Sequence, residues 1–326
     1  MKKSSMVDVA KRAGVSTATV SHVINGTRYV SEEVTRRVNQ AIEELNYVPN
    51  QVARNLKAGK NHTVMFIAPD ISNGFYSSVI EGAEGVLAAA GYRLVIANTK
   101  EDILREKLHL QGAGNGTVDG LLLASTATNW ETVCADVPKG LPMVLVERTF
   151  PNVDTSIVYE DCGQALYYAV SALAKAGHTR IGFISGLPYV SSTRERLAAF
   201  RCAMEVCGLS VERGFIQQGG SEKYSCAQCC QALLSLRCTA VIVSDGALTM
   251  DVSYYYQYAP IHPELVGFVD NPWQSRRGDF FGTIALPSEK MGINAGEELL
   301  RLLAHPKALS KKICLSARFE QGTTYR

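Results

Sequence analysis

The chain has 326 residues, 46% of them hydrophobic and 20% charged, with 27 Gly and 11 Pro. Those proportions exclude long disorder, a collagen-like repeat and a low-complexity fibre, and the length predicts two or three domains. The formal net charge of +2 conceals an asymmetry: residues 1–60 carry ten Lys and Arg against five Asp and Glu, and the remainder 23 against 26.

A basic head on a mildly acidic body points to a polyanion-binding module joined to something else. No run of about 18 or more uncharged apolar residues occurs, so no membrane contact is expected. Asp8, Lys11 and Arg12 interrupt the stretch where the apolar core of a secretory leader would lie, which predicts a cytoplasmic protein. The nine cysteines then read as reduced thiols. Cys226, Cys229, Cys230 and Cys238 lack a second CxxC or a nearby His to complete a zinc site, and their segment reads as a helix; no metal or cofactor is expected.

Three short helices are predicted in the head. The first spans Met6 to Ala13, with Val7, Val9, Ala10 and Ala13 inward and Ser5-x-x-Asp8 as its start signal. Gly14 allows a tight turn. Ser16 then caps a second helix from Thr17 to Asn25. The third follows Ser31, with Val34, Val38, Ala41, Ile42 and Leu45 on its apolar face. Two short helices across a Gly turn, with a third in support, describe a helix-turn-helix unit. The second helix starts with small polar residues, Ser16 to His22. They suit either close approach to a DNA groove or a capped, half-exposed helix.

The run Val7 to Asn25, continued by Val30 to Val34 and Leu45 to Asn50, resembles the DNA-binding head of the LacI/GalR family of bacterial regulators, and within it the purine repressor branch. The resemblance implies DNA contacts at Ser16, Thr17, Ala18, Thr19, Ser21, His22, Asn25, Arg28 and Tyr29. Residues 50–61 then form a hinge helix and linker. A helix of about eight residues is too short to stand alone, and in the family it orders on operator DNA, where Ala53, Leu56 and Lys57 would meet the minor groove. Leu56 takes the place of the family's apolar wedge.

Beyond residue 62, buried-strand patterns at Val64–Ala68, Leu94–Ala97, Gly120–Leu123 and Met143–Val146 alternate with helices such as Ser78–Ala90. A second series follows at Ile181–Ile184, Ala240–Val243 and Leu265–Phe268. This alternation predicts an α/β fold with parallel sheets. An Ala-rich helix ending at Gly91 and another ending at Gly177 each lead into a strand, as expected of two similar lobes. Stretches such as 69–76, 118–123, 177–184, 194–200 and 267–270 extend the family resemblance over the whole chain. They imply a two-lobed, periplasmic-binding-protein-like effector and dimerisation domain. The organisation expected is a head at 1–49, a hinge at 50–61, and lobes of about 62–160 with 287–314 and about 161–286 with 315–326.

Ligands bind such folds at the strand carboxyl ends. Carried over from the family, the effector residues are Phe75, Tyr76, Ser125, Glu147, Arg148, Arg196, Asp245, Asp270 and Trp273, although Trp273 is equally suited to simple packing. Three departures stand out. Val269 replaces the first acid of the family's Gly-Phe-Asp-Asp, and Asp270 beside it faces the other way along a strand. Ser221 stands where the purine branch has an aromatic, and the segment from Tyr254 to Pro263 is short. These argue against a purine ligand; the family resemblance implies a sugar or sugar derivative as the effector. No P-loop, H-E-x-x-H or G-x-S-x-G occurs. Gly112 to Gly116 reads as a helix-to-strand turn, so no enzyme activity is expected. The expected function is that of a homodimeric repressor of double-stranded DNA operators, responsive to a small effector. Its rivals are a corepressor-dependent regulator and a receptor that does not bind DNA. No heptad tail follows Phe319, which favours a dimer over a tetramer.

Overall fold

A computed structural model describes residues 4–48, 60–220, 226–259, 262–269 and 280–322. The hinge residues Ala53, Leu56 and Lys57, and Asp270 and Trp273 of the effector set, lie outside the described residues. The chain divides into two compact units, residues 1–61 and 62–326.

In the first unit, α1 spans Met6–Ala13, α2 Thr17–Asn25 and α3 Glu32–Glu44. Ser5 and Asp8 close a capping box on α1, Gly14 turns the chain in the left-handed region, and Ser16 caps α2 by accepting from the Thr19 amide. Val9, Ala10, Ala13, Val20, Val38, Ala41 and Tyr47 form the core. Val7 is exposed, contrary to the inward position expected. The inward stripe of so short a helix is filled by residues 9, 10 and 13, and position 7 falls on the opposite side.

Among the described residues, the second unit holds two six-stranded sheets. The first has β1 (Thr63–Ala68), β2 (Arg93–Asn98), β3 (Gly120–Leu123), β4 (Met143–Val146), β5 (Ser156–Asp161) and β11 (Lys312–Ser316), in the order β11-β5-β4-β3-β1-β2. The second has β6 (Ile181–Ser185), β7 (Ile216–Gln218), β8 (Ala240–Val243), β9 (Glu264–Val269), β10 (Gly282–Ala285) and β12 (Arg318–Gln321), in the order β12-β10-β9-β8-β6-β7. All pairs are parallel except β10 with β12. The chain passes between sheets after β5, between β10 and β11, and between β11 and β12.

Helices cover both sheets: α4 (Gly74–Ala89), α5 (Ile103–Ala113) and α6 (Trp130–Asp136) follow strands of the first, and α7 (Gly163–Lys175), α8 (Ser191–Val206), α9 (Ala227–Ser235) and α10 (Gly246–Gln257) belong to the second series. α11 (Ser288–Ala304) returns to the first lobe. α4 begins earlier than the apolar pattern predicts, because the Asn73 side chain accepts from the Phe75 amide and starts the helix there. Of the strands missed in the sequence, β7 and β10 are short, β11 and β12 are half-exposed, and β5 is mostly buried but carries a brief apolar run, Ile157 to Tyr159, between polar residues. The segment 112–116 is a helix end, with Gly116 at φ 68°. Cys226, Cys229, Cys230 and Cys238 pack as small apolar side chains in the second lobe. Among the described residues, no helix is long and apolar enough to cross a membrane.

α4 and α11 meet through Gly82 and Gly292. A methyl at Gly292 would collide with the Val79 carbonyl and the Ala83 amide, both rigid backbone. Gly292→Ala should therefore destabilise the second unit by about 1–3 kcal/mol, read as a lower urea midpoint at unchanged slope.

Candidate functional site

In the head, Ser16, Thr17, Ala18, Asn25, Arg28 and Tyr29 are exposed, and Thr19, Ser21 and His22 are half-buried. The nominated DNA-contacting residues of α2 and its following turn thus share a surface that the core does not use. Asn25 Nδ2 donates to the Ser21 carbonyl at 2.8 Å, and His22 Nδ1 pairs with the Thr27 hydroxyl at 2.9 Å. These bonds fix the ends of side chains that would otherwise lose rotamer freedom on docking.

In the second unit the nominated residues gather at the carboxyl ends of the strands. Ser125 follows β3, Glu147 and Arg148 follow β4, Asp245 follows β8, and Arg196 projects from the first turns of α8. The three charged residues Glu147, Arg148 and Arg196 are buried and paired.

Glu147 sits in the left-handed region, at φ 67°. Its carboxylate accepts from the Tyr76 hydroxyl at 2.6 Å, the Ser192 hydroxyl and Arg148 Nε at 3.3 Å. Burial, joined by the charge of Glu147, holds the Tyr76 phenol well above its usual range, so it remains a donor. Arg148 makes a two-pronged pair with Glu101, one arm at 2.9 Å, and donates to the Ser125 carbonyl at 3.0 Å. Ser125 itself donates to Glu106 at 2.6 Å, and Thr126 adds a hydroxyl bond at 2.8 Å to the same fully buried carboxylate.

Arg196 donates to Glu160 and, at 2.8 Å, to the Ser244 carbonyl. Its guanidinium lies 4.9 Å from the centroid of the Phe268 ring. Burial works against its charge, but Glu160, Cys162 and Glu147 together outweigh that and hold the guanidinium protonated. Burial raises the Glu160 carboxyl, and Arg196 opposes that rise. Thr149 adds two links to α8, its amide donating to the Ser191 hydroxyl at 2.9 Å and its hydroxyl to Glu195 at 2.9 Å.

The structure does not bring every nominated residue to one place. Phe75 is packed in the core of the first lobe, edge-on to Tyr76, and offers that core an apolar face. Asp245 caps α10 by accepting from the Ala247 and Leu248 amides. Sequence reasoning missed Glu101, Glu106, Thr149, Glu160, Ser191, Ser192 and Glu195. Glu106 carried a readable signal, since it falls on the buried stripe of α5 with Leu110 and Ala113, where an acid requires partners. Glu160 had none of that kind. It looks like a strand-ending charge until Arg196 of α8 is seen to reach it.

Two family models match. Residues 5–50 match the bacterial regulatory proteins of the lacI family, and residues 61–256 match the periplasmic binding proteins and sugar binding domain of the LacI family. The chain is 33% identical to the ribose operon repressor of Escherichia coli K12, over 96% of this chain and 97% of that protein. It is 31% identical to the PurR transcriptional repressor of Photobacterium profundum, over 90% of each. A crystal structure of the lac repressor dimer bound to operator and an anti-inducer shares the fold, with a TM-score of 0.86, 20% identity and full coverage of both chains. The chain therefore belongs to the LacI family of bacterial regulatory proteins, a ligand-responsive, DNA-binding regulator of transcription and not an enzyme.

Proposed function

We propose that the protein is a homodimeric repressor that binds a pseudo-palindromic operator through two heads and is released by a small sugar-like effector. The observation that carries the reading is the polar, exposed surface of α2 in a head whose core lies on the other side. Small residues there, Ser16, Thr17 and Ala18, let a helix lie close in a major groove. Arg28 and Tyr29 extend the same surface toward phosphates. Residues 50–61 act as the hinge, with Leu56 as a wedge at the centre of the site and Ala53 and Lys57 beside it.

A second copy of the chain fits an apolar surface of the first lobe. β2 is an edge strand on which Val95 and Ile96 are exposed, and the neighbouring α5 exposes Leu104 and Leu108, one turn apart, at 68% and 67%. Apolar side chains clustered at an unpaired sheet edge call for a partner surface, and a two-fold dimer covers one such patch with another. Pairing also places two heads on one site, so that the second docks at high effective concentration. The sugar-like effector is supported by the family model over residues 61–256 and by the ribose operon repressor among the relatives. It enters between the lobes, where Tyr76, Glu147, Arg148 and Arg196 converge, and the lobe movement it causes opposes operator binding.

Sequencing of genomic fragments retained by the purified protein tests the reading, which requires one enriched palindrome; a pool without enrichment contradicts it. On that site, affinity should fall at least about a hundredfold between about 50 and about 200 mM salt. Leu56→Ala should weaken the specific site about tenfold or more and change nonspecific DNA binding less than about twofold; equal losses remove the wedge. Arg196→Ala should abolish release by the effector while operator binding persists, as measured by fluorescence anisotropy on the enriched site.

A further inference from the structure

Beside the Glu160–Arg196 pair lies a cavity of about 270 Å³, with Tyr159, Glu160, Asp161, Ser192, Glu195 and Arg196 in its wall. Of the effector residues nominated from sequence and described in the structure, Arg196 alone lines it. The volume lies just under the range of about 300–1,000 Å³ usual for small-molecule sites, which suits a ligand the size of a single sugar ring. Among the described residues, the wall contributes three carboxylates and one guanidinium, and that guanidinium is already committed to Glu160, to the Ser244 carbonyl and to the face of Phe268. Among the described residues, two buried atoms of the Glu160–Arg196 pair make no hydrogen bond, Glu160 Oε2 and Arg196 Nε, and the Cys162 thiol stands beside the guanidinium. At position 269 the chain offers only the buried apolar side chain of Val269.

We propose that this cavity receives the polar end of the effector and admits only ligands without negative charge, polyols and amino-polyols, with Glu160 as the residue that sets the choice. The inference rests on the effector reading above and adds the chemical class. A hydroxyl both donates and accepts, so one ligand hydroxyl can satisfy Glu160 Oε2 or Arg196 Nε as the lobes adjust, and an ammonium can satisfy the carboxylate alone. A phosphate or carboxylate would be desolvated beside Glu160, while Arg196, the one cation among the described residues of the wall, is already neutralised. Arg196 in this protein is thus a neutralised donor and not an anion receptor.

The test titrates the full chain calorimetrically with ribose, glucose and glucosamine, and with ribose 5-phosphate, glucose 6-phosphate and glucuronate. Wherever a parent compound binds, its anionic counterpart should bind at least about 30-fold more weakly, and Glu160→Gln should narrow that gap about tenfold. An anion that binds as tightly as its parent overturns the proposal. Should no compound bind, the sugar reading fails, and inorganic phosphate decides the charge selection separately. The melting temperature of Glu160→Gln should then rise with phosphate, against chloride at equal ionic strength, by more than that of the unaltered chain. The extra rise should vanish in Glu160→Gln/Arg196→Met and be absent in Glu160→Asp, which keeps the charge. Phosphate binding to the heads is common to all four proteins and cancels. Equal responses of the unaltered chain and Glu160→Gln overturn the proposal.

Discussion

Two guanidiniums buried at the strand ends set the terms for the whole effector domain. Removing an arginine from water costs several kcal/mol unless carboxylates meet it with good geometry. Arg148 is met by Glu101 and Glu147, and Arg196 by Glu160. Each carboxylate then imposes a demand of its own. Glu147 accepts from Tyr76 and Ser192, and the Ser125 carbonyl that receives Arg148 belongs to a residue whose hydroxyl is held by Glu106. The result is a set of polar side chains in two hydrogen-bonded groups, one around Arg148 and one around Arg196, that meet on α8 through Ser192 and Arg196.

The set joins the two lobes through a single stretch of α8. Ser191, Ser192, Glu195 and Arg196 occupy one side of its first two turns. They reach Thr149, Glu147 and Glu160, at the ends of two strands of the other sheet. A ligand that enters here competes with bonds the protein makes to itself, so its binding is linked to the relation of the lobes by construction. A second branch runs outward. Glu101 precedes α5 and Glu106 lies on it, and α5 also carries the exposed Leu104 and Leu108. The same helix therefore touches the cleft network on one side and presents the apolar surface on the other. That gives the proposed dimer contact a physical route to the cleft.

Much of this was legible in the sequence for local reasons. The capping box at Ser5 and Asp8, the Ser16 cap and the turn at Gly14 are signals carried by neighbouring residues, and they placed α1 and α2. Central strands such as β3, β4 and β8 are buried on both faces and read as unbroken apolar runs. The edge strand β2 was legible from its apolar run, but β11 and β12 were not, because they are half-exposed and depend on partners distant in sequence. The nominated arginines came from family likeness, and their partners did not. Glu160 is 36 positions from Arg196 and Glu101 is 47 from Arg148, so nothing local announces either pair. Phe75 and Tyr76 both lie in the buried core of the first lobe, and Tyr76 also turns its hydroxyl to Glu147.

The account depends most directly on the buried pair between Glu160 and Arg196 acting as a unit across the lobes. A double-mutant cycle on the full chain measures it, with Glu160→Gln, Arg196→Met and the two combined, each unfolded in urea. The account predicts that each single change strands a buried partner and that the double variant recovers at least about 1.5 kcal/mol relative to the sum of the two. Additivity within about 0.5 kcal/mol would contradict it.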